Sequence, residues 1–242
     1  MSQSKTTRPE HGRVYLCAPI NALVEGVYEE HIPFFEIKQH GDFGLGTFDH
    51  LDGEMVMIDG RIFQITGDGH VSEVGDDAAT PFAAVTFFET HSSDSSDQAM
   101  TYAEFQHWLD NLLPSQNMFY AFRIEGTFKH VRVRSVPKQE CYRPLIEVAK
   151  DQPTFDFYDI AGTLAGFYTP SFMASLSVPG MHLHFLSKDF QHGGHLLECS
   201  TQKIDVALQF INKVELSLPT TLDYMTLDFQ RDINQDLEKA EK

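Results

Sequence analysis

Short runs of β-branched and aromatic residues, cut every few positions by Gly and Asp, set the terms on which this chain folds. Gly44 to Phe48, Glu54 to Ile58, Arg61 to Ile65 and Ala83 to Phe88 each read as a strand, and Asp59-Gly60 has the composition of a two-residue hairpin turn. Further strand-like pieces follow at Met118 to Glu125, Thr127 to Val136, Thr154 to Ile160, Thr163 to Tyr168, His182 to Ser187, His195 to Cys199 and Val214 to Leu218. The clearest helix starts at Thr101, an N-cap residue with Glu104 as its capping-box partner, and puts Phe105, Trp108, Leu109 and Leu112 on one face before Pro114. The Ser/Asp-rich stretch Ser92 to Asp97 reads as a solvated loop. These patterns predict an α+β protein, β-rich, with mixed or antiparallel sheets and few helices.

A chain of 242 residues, 42% of them hydrophobic, can bury a substantial core. Its formal charge of -17, spread along the sequence, argues against a surface that neutralises phosphates, so no nucleic-acid partner is expected. The apolar stretch after the polar residues 1–11 is broken by Cys17 and Pro19, too short for a signal core or a membrane span, and no membrane association is expected. Cys17, Cys141 and Cys199 are odd in number and far apart, which suits a reducing cytoplasm better than a disulfide framework. The expected organisation is a flexible segment over 1–13 and one unit over 14–242, divisible into β-rich lobes at about 14–136 and 137–242.

Chemistry gathers in a few places. Pro179-Gly180-Met181-His182-Leu183-His184-Phe185 sets two imidazoles two residues apart, on one face of a strand, and Gly193-Gly194 permits a sharp return before His195. A β-hairpin would present His182, His184 and His195 to one point, the ligand set of a catalytic zinc site with open positions. Imidazole also suits Fe, Ni or Cu. His192 competes for the third position but precedes the Gly-Gly turn.

In Phe128 to Val136, alternation puts His130, Arg132 and Arg134 on one face and Val131 and Val133 on the other. Such a ladder is either a solvated strand face with surface ion pairs or a guanidinium aimed into a cleft to hold a carboxylate or oxyanion. The Gly-rich run Gly41 to Phe48 has neither dinucleotide-fingerprint nor P-loop spacing, which excludes nucleotide binding there.

An ordered series of these segments resembles the acetolactate decarboxylases. It runs from Gly41 through Leu51-Asp52-Gly53-Glu54, Arg132-x-Arg134, Gly162-Thr163-Leu164-Ala165-Gly166-Phe167 and Pro179-Gly180-x-His182-x-His184-Phe185 to Gly193-Gly194-His195, nearly the whole chain. The resemblance implies a two-lobed fold, a homodimer, 2-acetolactate as substrate, and Zn2+ held by His182, His184 and His195. It also implies an active-site arginine at Arg134, active-site glutamates at Glu54 and Glu241, and a pocket-lining threonine at Thr47. In that chemistry the metal serves as electron sink for an enediolate. The rival readings are a cupin-like metal oxygenase, which normally adds a glutamate where this chain has Lys188 and Asp189, and a metal-stabilised binding module.

Overall fold

The computed structural model describes residues 11–141 and 143–229, so residues 1–10 of the expected flexible segment, and Glu241, lie outside the described residues. In chain order the strands are Arg13–Leu16 (β1), Ile32–Pro33 (β2), Phe43–Thr47 (β3), Glu54–Ile58 (β4), Arg61–Ile65 (β5), Val71–Glu73 (β6) and Ala79–Thr80 (β7). They continue as Ala83–Thr86 (β8), Ser92–Ser96 (β9), Phe119–Arg134 (β10), Thr154–Thr169 (β11), Gly180–Ser187 (β12), Gly193–Ile211 (β13) and Lys213–Leu216 (β14). The α-helices are Ile20–Val24 (α1), Phe34–Ile37 (α2), Tyr102–Leu112 (α3), Leu145–Val148 (α4) and Leu222–Thr226 (α5). The expected class holds: the body is β-rich, its helices are short and few, and no helix among the described residues is long and apolar enough to cross a membrane.

One sheet has the order β14-β1-β8-β3-β4-β5-β6 and a second the order β10-β11-β12-β13-β9. In the second, β10 pairs with both β11 and β13, and β12 joins β11 to the start of β13, so four strands close on themselves. Period-two alternation then assigns the side chains. Tyr120, Phe122, Ile124, Leu183 and Phe185 point to one core, packed with Phe105 and Leu109 of α3. The intervening Phe119, Ala121, Ala165 and Phe167 point to a second core shared with Leu45, Val56 and Ile65 of the first sheet. Each sheet takes strands from both sides of residue 136: β9 and β10 lie in the second sheet, and β14 pairs in parallel with β1 in the first.

Local signals survive intact. The Asp59-Gly60 turn has both residues at positive φ (52° and 73°), as a two-residue hairpin requires. Thr101 and Glu104 form the capping box of α3. Three expectations change. Met118 to Glu125 and Thr127 to Val136 are one strand, and so are Thr154 to Ile160 and Thr163 to Tyr168. The glycines read as breaks, Gly126 and Gly162, face each other across β10 and β11, and a Cβ on Gly126 would come within 2.1 Å of the Lys203 carbonyl. They are sites of close backbone approach rather than turns. Ser92 to Asp97 is not a loop: Ser92–Ser96 forms an exposed edge strand on β13, where polar residues are tolerated because one face and one edge meet water.

Candidate functional site

The three histidines come together where the sheets meet. His182 and His184 alternate with Leu183 and Phe185 on β12, so the face opposite the inner core carries both imidazoles toward the first sheet. His195, the third residue of β13, is the direct cross-strand partner of His184, and its other neighbour is Arg134 at the end of β10; the return itself falls between Ser187 and His192, so Gly193 and Gly194 are strand residues rather than the turn. Arg134, His195 and His184 therefore form a row across three strands on one face. Gly194 makes this possible: its φ is +142°, and a Cβ there would sit 2.6 Å from the Arg134 carbonyl.

The first sheet supplies the opposing wall. Thr47 and Glu54 are cross-strand partners on β3 and β4, joined by a tight turn in which His50, Leu51 and Gly53 all have positive φ. The Thr47 hydroxyl donates to the Gly53 carbonyl at 2.7 Å and holds that turn against the strand end. Two bonds bind the walls together beside Glu54. His184 Nδ1 donates to the Met55 carbonyl at 2.9 Å, and the Ser135 hydroxyl donates to the carbonyl of Ile65, the residue opposite Glu54, at 2.6 Å.

The ligand atoms of His182, His184 and His195 lie within 4.8 Å of one another, and this is the cluster among the described residues that could hold a metal ion. His182 Nε2 faces His195 Nδ1 at 3.2 Å. His184 tests the fit. A carbonyl can only accept, so Nδ1 carries the proton and Nε2 keeps its lone pair; Nε2 is buried and has no hydrogen-bond partner among the described residues. An orphaned nitrogen, oriented by a carbonyl behind it, is what a metal-ligating histidine needs. Burial holds the His182 imidazole far down, to about 3, with the Arg134 charge adding to the effect, and burial likewise holds His184 well below its usual range. Both are therefore neutral at neutral pH, the state that ligates a cation.

Arg134 and Glu54 border this cluster. Arg134 is 7% exposed and Glu54 6% exposed. Arg134 Nη1 is 3.7 Å from Glu54 Oε1, and Glu54 Oε2 is 3.5 Å from His184 Nε2. The basic ladder divides by position. Arg132 is exposed and pairs with Asp156, which also holds His130, whereas Arg134 is buried against Glu54 of the first sheet. His192 stands apart from the cluster, its ring 4.6 Å from that of Phe157.

These residues line a narrow cavity of about 40 Å³, partly open to solvent. Ile20, Leu23, Leu51, Phe82, Val136 and Leu145 supply its apolar wall, with α1 and α4 closing one side. Thr47, Glu54 and Arg134 all reach it. So does Gln152, which the sequence reading passed over; it lies in a loop outside every motif, and only the proline after it hints at a fixed backbone.

Fold and site define a class: a β-sheet protein whose interface between sheets buries a three-histidine cluster suited to a metal ion, next to an arginine and a glutamate. The family model for alpha-acetolactate decarboxylase matches residues 14–231. The alpha-acetolactate decarboxylase of Methanosarcina mazei is 40% identical over 230 residues, 95% of this chain and 80% of that one. That of Methylococcus capsulatus is 39% identical over 233 residues, 96% of this chain and 90% of the relative. The crystal structure of alpha-acetolactate decarboxylase from Bacillus subtilis superposes with a TM-score of 0.92 at 35% identity, covering 95% of this chain and 99% of the other. The chain belongs to the alpha-acetolactate decarboxylase family.

Proposed function

We propose that this protein decarboxylates 2-acetolactate to acetoin, using a divalent metal ion, zinc in our reading, held by His182, His184 and His195. The observation that carries the metal centre is the buried, unpartnered Nε2 of His184, aimed into a cluster of imidazole nitrogens within 4.8 Å of one another. When bound, the ion supplies Lewis-acid stabilisation of negative charge on the substrate's ketone and hydroxyl oxygens.

The chain's own residues do the rest. Acetolactate carries its carboxylate on a carbon that also bears a hydroxyl and a ketone. Breaking the carbon–carboxylate bond releases carbon dioxide and leaves the electron pair as an enediolate. Arg134, buried beside the histidine cluster with Glu54 and Gln152 at its Nη1, holds the substrate carboxylate and keeps its positive charge next to the developing anion. The low polarity of the wall strengthens that attraction relative to water. Glu54 stands between Arg134 and His184, within reach of a proton on the substrate hydroxyl. It relays a proton to the carbon that lost carbon dioxide, and the net proton consumed comes from water. Glu241, assigned by family resemblance, is the second carboxylate in this reading and lies outside the described residues. The apolar wall receives the two methyl groups and limits water, so that protonation occurs from one face.

The test is direct. Protein loaded with zinc and incubated with racemic acetolactate should release acetoin and carbon dioxide in equal amounts. A chelator should abolish turnover and added zinc restore it. Absence of acetoin would overturn the decarboxylase reading, oxygen uptake would favour the oxygenase, and full turnover by metal-free protein would overturn the role of the ion.

A further inference from the structure

Gln152 follows the short 3-10 turn Ala149–Asp151 and precedes Pro153, with backbone angles of -71° and 124°. The proline disfavours a helical conformation at Gln152, so the helical turn stops there and the side chain is set against the end of β10. Its amide atoms are in unlike positions. Oε1 accepts from Arg134 Nη1 at 2.5 Å, and because a guanidinium only donates, the identity of the two amide atoms is settled. Nε2 is buried and has no hydrogen-bond partner among the described residues, while the residue lines the same cavity as the histidines. Buried N–H groups are nearly always paired, so an unpaired one on a residue that lines a ligand cavity marks where a ligand acceptor belongs.

We propose that Gln152 is a substrate-binding residue whose Nε2 donates to the substrate carboxylate beside Arg134; this rests on the decarboxylase reading of the site. Charge favours an amide at this position: Glu54 already brings a carboxylate near the Nη1 atom that Gln152 bonds, and Gln152 holds that nitrogen without adding a second negative charge that would repel an anion. The chemistry also favours an amide here. The carboxylate departs as neutral carbon dioxide, and a second cation would stabilise the ground state more than the transition state, whereas a neutral donor orients the group at lower cost to the barrier. Gln152 thus does two things, positioning Arg134 through Oε1 and holding substrate through Nε2.

The experiment separates them by titration calorimetry on zinc-loaded protein. One probe is 2,3-dihydroxy-2-methylbutanoate, in which reduction of the ketone prevents loss of carbon dioxide; the other is 2,3-butanediol, which lacks the carboxylate. Gln152→Glu keeps an acceptor for Arg134 and removes the donor, and Gln152→Met removes both at similar volume. The dissociation constant for the carboxylate probe should rise about tenfold in Gln152→Met and further in Gln152→Glu, with diol binding and zinc content unchanged. Unaltered probe binding in both variants, equal weakening of both ligands, or no probe binding by wild type would overturn the assignment. Wild type that binds the probe yet forms no acetoin from acetolactate would instead overturn the decarboxylase reading and leave the carboxylate contact standing.

Discussion

Replacing Arg134 by lysine keeps one positive charge and removes the planar fork, and the structure sets the size of the effect. The Arg134 side chain is 8% exposed, with Gln152 Oε1 at 2.5 Å and Glu54 Oε1 at 3.7 Å from the same nitrogen. A lysine ammonium presents three donors at one point and cannot hold Gln152 while also offering two parallel bonds to a carboxylate. At least one charge-assisted hydrogen bond is lost, and each contributes about 1.5 to 3 kcal/mol. If that bond is made in the transition state, kcat/KM falls roughly 10- to 100-fold. Arg132→Lys is the control. Its side chain is 45% exposed and pairs with Asp156 at 3.1 Å, a surface contact whose loss costs at most about 1 kcal/mol. The assay is initial-rate acetoin formation by both variants, with zinc content and circular dichroism confirming that each is loaded and folded. Equal, near-normal rates for the two lysine variants would refute the reasoning, because burial would then confer no role on Arg134.

Glu54→Gln preserves volume and the β3–β4 pairing but removes the carboxylate, so turnover should fall by about a hundredfold or more with zinc retained, read by steady-state rates and metal analysis. His195→Ala should lose zinc affinity while His192→Ala, whose ring packs on Phe157 away from the cluster, should keep it; metal analysis of the purified variants showing the reverse would move the third ligand. In metal-free protein, stability should be full above about pH 6.5 and decline as pH falls toward 3, because unfolding frees His182 to take a proton that the folded chain refuses. His182 by itself should remove about 2 kcal/mol between pH 6.5 and 5, measured by urea unfolding, and a flat profile over that range would show that it is already charged when folded.

Much of the site was legible because its signals are local. The His182-Leu183-His184 alternation places two imidazoles on one strand face because the pleat acts over a few residues. The same holds for the Asp59-Gly60 hairpin and the Thr101–Glu104 capping box. Gly193-Gly194, by contrast, expected as the return before His195, lies inside β13 paired with Leu186 and Phe185, and the chain reverses earlier, between Ser187 and His192. Arg134 was named by resemblance, while its difference from Arg132 could not be seen in alternation alone, because both occupy the same face of β10 and only the packing sets Arg134 against Glu54 of the first sheet and leaves Arg132 at the surface with Asp156.

Sequence by itself thus determined strand periodicity, turns, the capping of α3 and the sharing of a face by His182 and His184, all consequences of backbone stereochemistry over short distances. Tertiary structure decided the rest. It ran β10 and β11 unbroken through Gly126 and Gly162, where close approach of the neighbouring strands β13 and β12 rather than a turn demands glycine. It gave the edge strand Ser92–Ser96 a partner that its composition does not ask for. It also brought Glu54 from one sheet against Arg134 and His184 from the other, and set Gln152 beside them from a loop. Those proximities depend on how two sheets pack across a shared core, a contact between residues far apart in the chain that no local pattern encodes.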